Sequence, residues 1–293
     1  MLSGSKSPRS IGVNMMVWHV YIIVICMSHQ HPRNPKFGWR PDKADSRDKI
    51  LRLGSGPLTD VPIRVDLREY CSTVENQYQV GSCTANSVVG ALEYLEKKDG
   101  MAVAEDLSRL FIYYNTRVIE NTVELDNGAT IRNAIKALAD VGTCREDMWP
   151  YVPDQFATKP NQACYDYAKV HTIADYSRIA TFQDMIRCLA AGYPFAFGFQ
   201  VYSEFEGPLV AQTGVLNLPN PTEYCCGGHA VLAVGYDMDK CIVIVRNSWG
   251  SGWGQDGYFT MPFAYISNPN LAADMWCIKK YLDADDHSVV VSS

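Results

Sequence analysis

The sequence contains no C-x-x-C pair, no internal repeat and no low-complexity tract. The first absence removes zinc-knuckle spacing from ten cysteines; the vicinal Cys225-Cys226 suits neither such a site nor an easy bridge. The second excludes solenoids and arrays. The most apolar stretch, Met15–Met27, has 13 residues and is interrupted by His19, well short of the roughly 20 needed to cross a bilayer. Positive charge is also in deficit: 26 Lys and Arg against 32 Asp and Glu, a net of −6, which argues against general nucleic-acid binding. What is present is ordinary for a folded chain of 293 residues: 47% hydrophobic, 20% charged and 11% aromatic. That length predicts about two domains or one domain of two lobes, with a core large enough to fold without disulfide staples.

The charge is divided. Residues 1–60 carry nine basic and four acidic side chains, a net of +5, leaving 17 and 28, a net of −11, for residues 61–293. A basic arm therefore precedes an acidic body, and opposite fields draw the arm back onto it. Lys6 and Arg9 ahead of Met15–Met27 resemble a signal-peptide start (possible leader 1–27), but no A-x-A pattern follows. Export through that leader and a true start near Met27 with a cytoplasmic protein are the two readings of compartment. Residues 28–60 are polar and broken by Pro32, Pro35, Pro41 and Pro57, so they read as an arm without a core of its own. Within it, GWRPDKADSRD, Gly38 to Asp48, supplies aromatic and charged anchors for docking.

Beyond Val61 the periodicity is globular. CTANSVVGALEYLEKK, Cys83 to Lys98, places Ala85, Val88, Val89, Leu92 and Leu95 at helical spacing between Gly81-Ser82 and Gly100. Helices are expected over 107–119, 130–139 and 182–191, and strands over 194–202, 229–236, 240–246 and 257–261. Residues from Trp149 to about Cys164 read as irregular. Helices first and strands later predict two unlike lobes of an α+β fold: a mainly helical lobe, 61–165, and a mainly β lobe, 166–293.

Cys83 opens the strongest helix, where the positive helix end and free N–H groups lower a thiol's pKa. A cysteine there is by itself more often structural. Gln77, six residues earlier in QYQVGSC, places an amide donor for an oxyanion beside the Cys83 N–H. A thiolate needs a base. His19, His29 and His31 lie in the leader or arm, His287 in the tail and His171 in a possible strand; His229, in GGHAVLAVGYD, stands at a strand end after two glycines. Asn247 in VRNSWGSGWGQDGYF follows another apolar strand. Its amide oxygen, accepting from the far ring N–H of His229, would leave the other nitrogen for Cys83. Trp249 and Trp253 are placed to cover that hydrogen bond.

Together these segments resemble the papain-like cysteine peptidases. His229 lies 146 residues and Asn247 164 residues after Cys83, against about 130–150 for papain-type enzymes. VPIRVDLR (Val61 to Arg68), QYQVGSC, WPY (Trp149 to Tyr151), GGHAVLAVGYD and RNSWGSGWGQDGYF follow in the family's order and cover about four-fifths of the chain. The resemblance implies a papain-like two-lobed fold, a helical left lobe and a β-barrel-like right lobe with the active-site cleft between. It implies Cys83 as nucleophile, His229 as base and acid, Asn247 as the residue orienting the histidine and Gln77 as oxyanion donor. Trp249 would shield the pair and line the leaving-group side. Gly128 or Ala129, in DNGATI, would pair with an extended substrate, and Gly228 would help line an apolar pocket for the residue two before the cut, its floor drawn from 272–275. It also implies an endopeptidase acting on polypeptides, susceptible to cystatin-like or small thiol-directed inhibitors, with no metal and no cofactor.

Departures from the family pattern are specific. Val80 stands where secreted relatives have a cysteine, Thr84 replaces an aromatic, and Cys164, a family half-cystine, has only Cys144 as a nearby candidate partner. No long helical pro-region precedes Val61; the pattern is similar to the bacterial branch of the family, whose members share the GWRPD-type arm. Residues 28–60 are therefore expected to be a cleft-covering pro-segment, with back-of-body structural cover as the alternative. The same acyl-enzyme would also serve a transpeptidase, and a non-catalytic binding module on this fold is the third reading.

Overall fold

The computed structural model describes residues 37–282 except Ser55 and residues 101–105. The leader, His19, His29, His31 and His287 lie outside the described residues. No helix among the described residues is long and apolar enough to cross a membrane.

The helix that carries Cys83, α1 (Cys83–Lys98), is buried on every side from Cys83 to Glu96. The stripe legible in the sequence covers only part of that surface, so its polar residues must find partners inside. Glu93 accepts from Ser72 Oγ at 2.5 Å and from the Leu107 N–H at 2.8 Å. Glu96 faces His171 Nδ1 at 3.0 Å, and Tyr167 stacks on that ring, which gives His171 a structural place. Against α1 pack α2 (Arg109–Glu120) and α3 (Ile131–Asp140). Ser108 and Thr130 cap them by accepting from the third N–H of each, and Asn121 ends α2 in the left-handed region at φ 54°. A short helix, α4 (Gln162–Ala168), capped by Asn161, lies where an irregular stretch was expected. The remaining α-helices among the described residues are α5 (Phe182–Ala190), α6 (Pro208–Thr213) and α7 (Phe263–Ile266).

The strands are β1 (Arg64–Asp66), β2 (Thr172–Arg178), β3 (Phe195–Tyr202), β4 (Cys225–Asp237), β5 (Ile242–Arg246), β6 (Tyr258–Pro262) and β7 (Ala272–Leu282). All pair antiparallel in the order β2-β7-β3-β4-β5-β6, with β1 added to β4. The class is α+β, as expected, but the sheet is an open path and does not close into a barrel. Strand alternation divides the core in two. Ala230, Leu232 and Val234 of β4 face the cluster around α1, while Val231 and Ala233 join Phe195, Phe197, Phe199, Val243 and Val245 on the opposite face. Cys144 and Cys164 are both buried free thiols, and Cys164 is the neighbour that, after burial, raises Cys144.

The arm does have a place in this core. Phe37 belongs to the cluster on the far face of the sheet, Trp39 to the cluster around α1, and Leu51 is 3% exposed. Its charges act with the opposite polarity to that expected. Arg40 does pair with Glu120, but the larger network sets the arm's carboxylates against the body's arginines. Asp48 holds Arg132 at 2.9 and 2.6 Å through both oxygens, and Asp42 accepts from Arg178 at 3.2 Å. A net charge cannot reveal which side chains turn inward.

Candidate active site

Cys83 is placed by Gly81 and Ser82. The Gly81 N–H donates to Asp126, which also accepts from Tyr113 Oη at 2.6 Å, and Ser82 Oγ meets Tyr151 Oη at 2.5 Å. The chain thus turns into α1 on a polar platform that delivers the thiol to the helix start. Its sulfur is faced by the N–H groups of Ala230, Gly38, Thr84 and Cys83 itself. The expected depression of its pKa is nevertheless reversed. Cys83 is 0% exposed, and burial pushes the thiol up to about 11, outweighing the four donors. One of those donors, Gly38, belongs to the arm.

His229 lies in β4, paired with Phe199 of β3. Its Nε2 is 2.8 Å from Asn247 Oδ1, in the loop after β5. Asn247 Oδ1 also accepts from the Ser248 N–H at 2.8 Å, which fixes the amide and so the ring. Trp249 stacks on the imidazole, centroids 5.1 Å apart, and Phe199 and Phe205 meet it at 5.9 and 6.4 Å. Trp253 lies one layer further out, edge-on to Trp249 at 5.2 Å. The histidine–asparagine pair is thus enclosed in aromatic walls, two of which, Phe199 and Phe205, carried no signal in the motifs. The backbone of Ala230, the first residue after His229, acts to lower the Cys83 thiol, so β4 passes beside the start of α1.

Gln77 is wholly buried. Its Nε2 donates to Val80 O at 2.8 Å, its Oε1 accepts from Ser248 Oγ at 2.6 Å, and its N–H donates to Ser248 O at 2.9 Å. Ser248 therefore orients both Asn247 and Gln77. It serves Asn247 through its backbone N–H and Gln77 through its hydroxyl and carbonyl oxygen, and only the hydroxyl could have been suspected from the sequence.

The arm crosses this group as an extended strand. Ala129 N–H donates to Gly38 O at 2.8 Å and Arg40 N–H to Ala129 O at 3.0 Å, a parallel bridge centred on Trp39. On the opposite wall, Trp39 N–H donates to Gly228 O at 3.0 Å. Of the two candidates Gly128 and Ala129, Ala129 makes the ladder, while Gly128 takes the turn before it at φ 75°. A Cβ on Gly38 would stand 1.9 Å from Gly81 O, and one on Gly128 1.9 Å from Gly38 O, so the arm passes between two glycines with no room to spare. Phe37 lies 6.2 Å from the His229 ring and 6.0 Å from Trp249.

Residues 61–275 match the pattern of the papain family cysteine proteases. The chain is 37% identical over 272 residues to an uncharacterized peptidase C1-like protein of Acanthamoeba polyphaga mimivirus, covering 84% of this chain and 88% of that one. It is 29% identical to mouse pro-cathepsin H over 241 residues, 76% of this chain and 66% of the relative. Among solved structures, xylellain, a cysteine protease from Xylella fastidiosa, superimposes with a TM-score of 0.81 at 39% identity, over 86% of this chain and 98% of xylellain. Digestive procathepsin L 3 of Tenebrio molitor shares the fold, with a TM-score of 0.64 at 22% identity over 85% of this chain and 77% of that one.

Proposed function

The chain belongs to the papain family of cysteine peptidases, and from that premise we propose that it hydrolyses internal peptide bonds through a Cys83 thioester, held silent by its own arm. Asn247 accepts the Nε2 proton of His229, which leaves Nδ1 as the basic nitrogen. That nitrogen takes the Cys83 proton as the sulfur bonds to the scissile carbonyl carbon. The carbonyl oxygen, now negative, accepts from the Cys83 N–H and from Gln77 Nε2, of which Val80 O uses one hydrogen. The C–N bond then breaks, and the imidazolium returns its proton to the leaving amine. Water, deprotonated by His229, attacks the thioester and releases the acid and the thiol.

The observation that carries this reading is the 2.8 Å contact between His229 Nε2 and Asn247 Oδ1, inside aromatic walls, beside a thiol at a helix start. The desolvated thiol beside the Gly38 backbone of the arm describes the resting form. With the arm displaced, water and the imidazole reach the sulfur, burial no longer dominates, and the helix-start donors lower its pKa. Cys83→Ala should abolish peptide cleavage with the fold intact, and wild-type turnover in that variant would overturn the assignment. Thiol labelling distinguishes the two forms. In the resting chain the exposed Cys241 should react before Cys83, and Cys83 should overtake it when the arm is displaced. Product analysis with an added amine separates hydrolysis from acyl transfer.

A further inference from the structure

The Asn247 amide can lie only one way round. Its Oδ1 accepts from the Ser248 N–H at 2.8 Å, and an amide turned over would set its own NH2 against that donor. Nδ2 is therefore aimed away from Ser248 and from the imidazole. Asn247 is 3% exposed, and its Nδ2 has no hydrogen-bond partner among the described residues. A buried donor left without an acceptor is costly and calls for a physical account.

A second orphan lies on the neighbouring element. Asn86 follows Cys83 in the first turn of α1 and is 6% exposed. Its Nδ2 donates to Ser82 O and to Ser82 Oγ, each at 3.0 Å, which fixes this amide as well. Asn86 Oδ1 is left with no hydrogen-bond partner among the described residues. One orphan is a donor and the other an acceptor.

Both residues line one cavity of about 10 Å³, enclosed between α1, β4 and the end of β5. That is room for about one water molecule. The other polar walls are mostly engaged. Ser87 Oγ donates to Thr84 O at 2.9 Å, Ser248 Oγ to Gln77 Oε1 at 2.6 Å, and Arg246 Nη2 to Thr73 O at 2.8 Å. The Glu75 carboxylate, paired with Arg109 at 3.2 Å, is a further acceptor in the same lining. A water there accepts from one amide and donates to the other, with its second hydrogen available to Glu75. Those are the two to four polar partners that a buried water takes.

We propose that Asn86 is a positioning residue of the active site, acting on Asn247 through one buried water that accepts from Asn247 Nδ2 and donates to Asn86 Oδ1. The inference rests on the peptidase reading and deepens it. Ser248 holds one end of the Asn247 amide, and Asn86, through the water, holds the other. With both ends held, the amide cannot turn about its Cβ–Cγ bond, and its oxygen stays aimed at His229 Nε2. With one end held, the acceptor swings and the tautomer that leaves Nδ1 basic is less populated. The helix that carries the nucleophile thereby also steadies the base.

The test uses the full-length chain and a short peptidyl-coumarin. Asn86→Leu removes the acceptor and keeps the space filled, and should lower kcat by about fivefold, as for one neutral hydrogen bond, with KM unchanged. Asn86→Ala opens room for a second water in place of the lost oxygen, so it should lose less activity than Asn86→Leu. A residue that served packing alone would show the reverse order, since the smaller side chain leaves the larger void. In an Asn247→Ala background, Asn86→Leu should change kcat by less than about twofold, because the group it acts through is gone. A fivefold loss that persists in that background, or Asn86→Ala worse than Asn86→Leu, would overturn the proposal. Nitrogen-15 shifts of the His229 ring in the full-length chain need no turnover. If no peptide is cut, the peptidase reading fails, while a fall of the Nε2-protonated form in Asn86→Leu still supports the positioning and unchanged shifts reject it.

Discussion

The two halves of the docked arm are held by different physics. From Phe37 to Arg40 a backbone ladder through Gly38, Ala129 and Gly228, which depends on glycines at 38 and 128, is joined by the apolar side chains of Phe37 and Trp39 seated in the two core clusters. From Asp42 to Leu51 the contact is side chain on side chain, through Asp42, Asp48, Arg132 and Arg178, closed by Leu51 N–H on Arg178 O at 2.8 Å. The first half covers the chemistry and the second fastens the cover. The covering half is held by backbone and buried rings, whereas the fastening half is held by charge.

Gly38→Val attacks the covering half and carries the largest expected effect. The added side chain collides with the Gly81 carbonyl, and overpacking of about 1–3 kcal/mol moves a two-state docking equilibrium by about five- to a hundredfold. Turnover of a small peptide should rise by about tenfold or more with the melting temperature nearly unchanged. An unaltered rate would mean that this half does not restrain the enzyme.

Asp48→Asn attacks the fastening. Arg132 keeps one acceptor oxygen and loses the charged one where both side chains are about nine-tenths buried, a cost of about 2 kcal/mol for a hydrogen bond between charged groups. The melting temperature should fall by roughly 4–8 °C, scaled for a chain of this size, while turnover rises much less than for Gly38→Val. A rise equal to that of Gly38→Val would erase the distinction between the halves.

The smallest effect concerns pH. Burial first, then the neighbouring Asp274, raises Asp42 to about 6 from an ordinary value near 3.8, against the pull of Trp276 and Arg132; Arg178 also faces it. The docked arm therefore binds this proton more tightly than the free arm. The cost of holding Asp42 ionised is present above about pH 6 and disappears as pH falls toward 4, so docking strengthens on acidification. Melting temperature followed from pH 7 to pH 5 should show that gain in the parent and less of it in Asp42→Asn. A chain that loosens its arm on acidification would contradict the sign.

Much of this architecture was legible because local and long-range signals agreed. α1 begins and ends where its loop glycines put it, and α5 runs to within one residue of its expected end. The order Gln77, Cys83, His229, Asn247 was legible from the motifs around them; Cys83 opens α1 and Asn247 follows β5 as expected, while β4 starts at Cys225, so His229 lies inside the strand and not at its end, and Gln77 lies in the loop before α1. α4 was missed since seven residues give periodicity little to register. β7 was missed for a more instructive reason: its alternation is broken by a bulge at Asp274, where φ is 58°. The arm's docking was anticipated from its aromatics, but its polarity was inverted, because Asp42 and Asp48 face arginines that the body's net charge conceals.

The enclosure of Cys83 has a bearing on how long the protein lasts. A thiol at 0% exposure, with the Gly38 backbone beside it, is shielded from peroxide, whereas an accessible thiolate climbs from sulfenic to irreversible sulfonic acid. On the proposed reading, the covered chain is a form in which Cys83 can wait through oxidising conditions unspent. Peroxide treatment before arm displacement should leave full peptide turnover to be recovered, and the same treatment afterwards should destroy it.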